Sequence, residues 1–213
     1  MALDDPKFTA VLSDYNARLK KEEKILHDPV AIKTVDVNSL LIPVGEEVGR
    51  LMHSLAVGLN AKVIVELGTS YGYSTLFLAD VARATGGKVY SYDVAAEKQA
   101  YAREQLARAG LADFVEFRLG DAVETLSSQP GPVDFVLMDL WKDLYIPCLE
   151  RLAPLLGDSG TILADNMTFP PQARADALAY QAAVRAIPGI QATLLPIGNG
   201  IDIAVRQAFE GAS

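Results

Sequence analysis

Apolar residues near the start of the chain recur at three- and four-residue steps: Phe8, Val11, Leu12, Tyr15 and Leu19. Arg18, Lys20, Lys21, Glu22 and Glu23 fall between or beyond them. That period predicts an amphipathic helix. A polar–apolar mixture follows through Val37. A second helix is predicted over about 43–59, with Val44, Val48, Leu51, Met52 and Leu55 on one face. Then the pattern changes, and short apolar runs bounded by Gly or Asp alternate with helical stretches. Residues 62–67 (KVIVEL) predict a buried strand, followed by a Gly-containing turn and a helix over 73–83. Residues 88–93 (KVYSYD) predict the next strand, with a helix to about 109. Runs at 114–118, 133–138 and 161–164 continue the series. Such alternation predicts an α/β fold, a mostly parallel sheet with helices on both faces. The end differs: 192–197 and 201–206 are strand-like and joined by Gly198-Asn199-Gly200. Asn-Gly is a hairpin signal, so an antiparallel pair is expected at one sheet edge.

The length of 213 residues fits one large domain with a core that needs no staples. We expect a single domain over 1–213, with a helical extension at 1–41 and a core at 42–213. The extension could serve as a lid or, through the apolar face of its helix, as a dimer contact; monomer and homodimer both stay open. Nineteen Lys and Arg against 27 Asp and Glu give a net charge of −8. Backbone binding to nucleic acid needs a positive field, so no nucleic-acid partner is expected. Cys148 is the only cysteine, which excludes an intrachain disulfide and a Cys-based zinc cluster. A reduced, cytoplasmic setting is the simplest expectation. No signal-peptide pattern opens the chain, and no apolar run reaches the roughly 18 residues of a membrane helix.

Candidate chemistry lies at the predicted strand ends, where doubly wound sheets bind ligands. Glu66-Leu67-Gly68-Thr69-Ser70-Tyr71-Gly72-Tyr73-Ser74 occupies the first strand–helix turn. Gly68 and Gly72 let backbone approach a ligand closely. The spacing is Gly-x-x-x-Gly with an acid two residues earlier, not the dinucleotide fingerprint Gly-x-Gly-x-x-Gly. An acid here disfavours a pyrophosphate and suits a cation, such as the sulfonium and ammonium of S-adenosylmethionine. Asp93, followed by Val94, ends the second strand, where an acid can accept from ribose hydroxyls. Gly120-Asp121-Ala122 ends the third, where adenine would lie.

Two further strand ends carry polar groups: Asp139-Leu140-Trp141-Lys142-Asp143-Leu144-Tyr145, and Asp165-Asn166. On neighbouring strands, Asp139, Asp165 and the Asn166 amide oxygen would converge as hard oxygen ligands, a set that suits Mg²⁺. Lys142, three residues after Asp139, can face the same pocket. Partly desolvated, it could take a proton from a hydroxyl acidified by the metal. Trp141 offers an apolar wall for an aromatic acceptor, or packs in the core.

These residues resemble the cation-dependent catechol O-methyltransferases and the related plant caffeoyl-CoA enzymes, from about Ile42 to Arg206. The most specific pieces are Glu66-Leu67-Gly68 with Gly72-Tyr73-Ser74, Asp139-x-Trp141-Lys142-Asp143-x-Tyr145-x-Pro147, and Leu163-Ala164-Asp165-Asn166. Trp-Lys-Asp points to the catechol branch. The resemblance implies the Rossmann-like fold of class I methyltransferases and transfer of a methyl group from S-adenosylmethionine to a catechol or similar vicinal diol. It implies that Asp139, Asp165 and Asn166 hold Mg²⁺ and that Lys142 is the general base. Glu66 would bind the methionine part of the cofactor with Ser74 nearby, Val44 and Gly45 would touch the cofactor, and Asp93 would hold the ribose. Ala122 would sit by the adenine, and Trp141 would border it. The chain departs from the catechol pattern at Leu140 (His there), Ser70 (Tyr there) and Asp93 (Glu there). The family's substrate-orienting Glu has no match near Thr193 to Pro196. A nicotinamide oxidoreductase, a non-catalytic S-adenosylmethionine-binding protein and a metal-independent methyltransferase are the alternatives.

Overall fold

The computed structural model describes residues 2–26, 28 and 30–208; the remaining parts of the domain expected over 1–213 lie outside the described residues. Seven strands form one sheet: β1 Val63–Leu67, β2 Lys88–Asp93, β3 Val115–Leu119, β4 Val133–Met138, β5 Leu156–Ala164, β6 Ile190–Leu195 and β7 Ile201–Arg206. Their order is β3-β2-β1-β4-β5-β7-β6. The first five pair in parallel, and β7 runs antiparallel between β5 and β6. The edge hairpin is therefore present, with its second strand the inner one.

Successive strand residues point to opposite faces, and each face buries its own cluster. Ile64, Val89, Phe135 and Leu163 pack with α1 Pro6–Leu26, α2 Glu46–Gly58, α3 Tyr73–Thr85 and α4 Ala96–Ala109. Val65, Val136 and Ile162 pack with α5 Ala122–Thr125, α6 Tyr145–Leu152 and α7 Arg174–Arg185. The apolar face of α1, one way the extension could have made a dimer contact, packs inward: Phe8, Val11, Leu12 and Tyr15 are buried within the chain's own core. Phe8 meets Phe77 of α3 edge-on at 5.4 Å. No helix among the described residues is long and apolar enough to cross a membrane.

Three boundaries differ from the sequence expectation. Helix α2 starts at Glu46, because Gly45 takes φ 86° as its N-cap and breaks the helix expected from 43. Strand β5 starts at Leu156 rather than 161, running through Gly157-Asp158-Ser159-Gly160 with a register shift against β4. Strand β6 spans Ile190–Leu195 rather than 192–197, so the β6–β7 connection is the loop 196–200 rather than the three residues 198–200. It is bonded to the segment after β5: Thr168 donates from its backbone N (2.9 Å) and Oγ1 (2.8 Å) to the Asn199 carbonyl.

Candidate active site

The ends of β1, β4 and β5 are laced together by backbone. Asp139 N donates to Leu67 O at 2.9 Å, and Asp165 N donates to Met138 O at 3.1 Å. Gly68, at φ 101°, is so close to the Asp139 carbonyl that a Cβ would collide with it. At Gly72, φ 87°, a Cβ would lie 2.6 Å from Ala102 Cβ and 3.1 Å from Tyr15 Oη. Both glycines, expected to make room for a ligand, are thus first required by the protein's own packing.

Glu66 does not present a free carboxylate to the crevice. It is fully buried; Ser74 Oγ donates to Oε1 at 2.6 Å, and Thr75 Oγ1 (2.7 Å) and Ser91 Oγ (2.5 Å) donate to Oε2. Burial raises its pKa to about 7 against the opposing pull of these three hydroxyls. Ser91 was missed in the sequence because it is not near Glu66 along the chain; it is its cross-strand partner in the β1–β2 register. Ser70, at φ 44°, donates its backbone N to Asp93 Oδ2 at 2.7 Å, and Ala95 N donates to Oδ1 at 2.8 Å. Asp93 therefore shapes two backbone segments and keeps lone pairs for other donors. Beyond it Val94 is 74% exposed. Asp121 caps α5 through Val123 N at 2.7 Å, beside Gly120 at φ 140° and buried Ala122. Val44 is buried, and the space around the Gly45 Cα is open. Tyr73 is buried, and its hydroxyl donates to Asn16.

On the other side of Gly68 stand the candidate metal ligands. The β4–β5 register pairs Met138 with Ala164, so Asp139 and Asp165 follow on adjacent strands. Asp165 Oδ1 accepts from Asn166 N at 2.7 Å, and Asn166 adopts the left-handed conformation at φ 56°. Burial raises the pKa of both aspartates, and the charge of Asp139 raises that of Asp165 further. Among the described residues neither forms an ion pair. Nor do three His, Cys, Asp or Glu side chains cluster there; the candidate set is two carboxylates and an amide. Two crowded, desolvated carboxylates that share only the field of Lys142 and form no close ion pair fit an oxygen-seeking dication.

Lys142 is buried below this pair, where desolvation lowers its pKa to about 8 against the attraction of Asp139 and Asp165. Its Nζ donates to Tyr145 Oη at 2.6 Å, and Tyr145 Oη donates to Met138 O at 2.9 Å. Tyr145 belongs to the motif that carries the resemblance but has no role assigned to it from the sequence; its i, i+3 spacing from Lys142 was the signal for this contact. Trp141 is 68% exposed, which excludes the core-packing alternative.

A parallel sheet whose last inner strand is reversed, with a glycine turn after β1 and acids at successive strand ends, defines the class of S-adenosylmethionine-dependent methyltransferases. A family model described as "Methyltransferase domain" matches residues 65–167. Caffeoyl-CoA O-methyltransferase 1 of Eucalyptus globulus is 31% identical over 178 residues, covering 74% of this chain and 72% of that protein. The enzyme of the same name from Arabidopsis thaliana is 32% identical over 179 residues, covering 74% and 69%. The O-methyltransferase of Bacillus cereus in complex with SAH shares the fold at TM-score 0.74, with 23% identity and coverage of 96% and 92%. The cofactor-bound protein Rv0187 from MTB superposes at TM-score 0.74, with 27% identity and coverage of 96% and 91%. The chain belongs to the cation-dependent O-methyltransferase family. It is an S-adenosylmethionine-dependent O-methyltransferase related to the caffeoyl-CoA enzymes.

Proposed function

We propose that this enzyme depends on a divalent cation and methylates a catechol or a similar aromatic vicinal diol. The observation that carries this reading is the juxtaposition of Asp139 and Asp165 at adjacent strand ends, without a close ion pair and within the field of a buried lysine. Asp139, Asp165 and Asn166 hold the cation. When bound, a dication of the magnesium class supplies charge that acidifies an acceptor hydroxyl and fixes its oxygen. Lys142 Nζ, whose pKa burial lowers to about 8 so that its neutral form becomes accessible, would take that hydroxyl's proton. S-adenosylmethionine would supply the methyl carbon that this oxygen attacks, the O–C bond forming as the S–C bond breaks and S-adenosylhomocysteine leaving with the electron pair. Trp141 presents its exposed ring to the acceptor.

In this reading the cofactor lies over 68–74, with Val44 and Gly45 along its methionine part. Glu66 acts from below, fixing Ser74 and lending buried negative charge to a cationic ligand. Asp93 accepts from the ribose, and Val94, Gly120, Asp121 and Ala122 border the adenine. In this reading 39–47, 140–147, 166–173 and 194–200 frame the acceptor side; Lys142 is their one cation, with Arg174 directly after the third segment. A compact, uncharged aromatic suits that rim better than a polyphosphate thioester.

A methyl-transfer screen over free diphenols and coenzyme A thioesters, with and without EDTA, tests this. Turnover on a free diphenol that EDTA stops and magnesium restores is expected; turnover indifferent to EDTA overturns metal dependence. Asp139→Ala is expected to lose at least roughly 100-fold of the metal-stimulated rate while cofactor affinity stays within a few-fold. Lys142→Met is expected to lower kcat by roughly 10²–10⁴ with little change in acceptor KM; an unchanged kcat removes Lys142 from the base role.

A further inference from the structure

We propose that the N-terminal helix α1 is a positioning element of the cofactor site, acting through Tyr15, Asn16 and Arg18. The three side chains reach two separate segments that border the cofactor in the reading above, on which this inference rests. Tyr15, 2% exposed, donates its hydroxyl to the Tyr71 carbonyl at 2.5 Å. Its oxygen also occupies the space that a Cβ at Gly72 would need. The Arg18 guanidinium lies 4.1 Å over the Tyr71 ring. Asn16 bridges the two segments: its Oδ1 accepts from Tyr73 Oη at 3.2 Å, and its Nδ2 donates to Glu46 Oε2 at 3.2 Å, at the start of α2 just after Gly45.

The loop so held needs holding. Gly68 and Gly72 take positive φ freely, but Ser70 between them, at φ 44°, holds a left-handed conformation that a non-glycine residue keeps only where surroundings impose it. From inside, Asp93 fixes Ser70 N; from outside, α1 fixes Tyr71 and Tyr73. Releasing either side lets the loop sample conformers that do not bind, and apparent affinity falls by the fraction of competent loop.

Calorimetric titration with S-adenosylhomocysteine tests this on the full chain, without an acceptor or a metal. Tyr15→Phe keeps the ring and removes the bond to Tyr71; Arg18→Ala removes the cation over the ring at a partly exposed position. Each is expected to raise Kd roughly 5- to 10-fold, the order of one net hydrogen bond. Once an acceptor is in hand, KM for S-adenosylmethionine rises equally, while kcat and acceptor KM stay within twofold. Asp14→Ala breaks the exposed pair between α1 and Arg108 of α4 and is expected to leave Kd unchanged, which separates positioning from general loosening of the helix. Asp93→Ala serves as the control from the inner side. If it weakens binding and both α1 variants stay within twofold of wild type, the α1 proposal fails alone. If none of the three changes Kd, the placement of the cofactor on this loop fails too.

Discussion

Burial holds the Glu66 carboxyl at about 7 although three hydroxyls donate to it, so folding is coupled to its proton. In the unfolded chain the group titrates at its ordinary 4.5. Between the two values the folded state binds more protons. The associated stability is complete below about 4.5 and is lost as pH rises through 7, about 3 kcal/mol at most. Urea unfolding at pH 5 and pH 8 is expected to show wild type gaining on Glu66→Gln at the lower pH; equal differences at both pH values contradict it. At this scale the sequence exposed the acids but not their partners. Asp139, Lys142 and Asp165 stood out because charged residues directly follow apolar runs. The hydroxyls on Glu66 were hidden, since Ser91 is 25 positions away and meets it through strand register. That Glu66 is occupied by three hydroxyls could therefore not be read along the chain.

Glycines mark where elements meet, and they are not equivalent. At Gly72 an added Cβ meets Ala102 of α4, whereas at Gly45 it meets nothing within 4 Å. Gly45→Ala therefore carries only the backbone strain of φ 86°, ψ 159°, a region essentially restricted to glycine, about 1–3 kcal/mol. Gly72→Ala adds overpacking of about 1–3 kcal/mol. Thermal melts are expected to rank Gly72→Ala below Gly45→Ala; the reverse order denies the close approach of α3 and α4. Element boundaries were legible where apolar runs end in a charged residue or a glycine, as at Leu67 and Asp93. They were obscure in β5, whose first half reads Gly-Asp-Ser-Gly and looks like a turn, yet pairs at Leu156 with Val133. The start of α2 was misplaced because Gly45 interrupts an otherwise helical pattern.

The whole molecule was the most legible level, since alternation of strand and helix followed by an Asn-Gly hairpin leaves few sheet topologies. What periodicity left out is that α1 belongs to the same apolar cluster as β1 and β4. A ligand that binds only the folded state raises its stability by about 2.7 kcal/mol at one hundred times Kd. For a chain of this size, S-adenosylhomocysteine at that concentration is expected to raise Tm by roughly 5–10 °C. A melt that ignores it would contradict cofactor binding.

The Gly68 backbone and the Asp139 carbonyl touch with no side chain between them. On the proposed reading, the half that would hold the methyl donor and the half that would prepare the acceptor are thus built edge to edge on β1 and β4. Neither can be re-engineered alone. Drift of a side chain into that seam would push donor and acceptor apart together, so new specificities have to arise at the outer loops, with the seam left as it is.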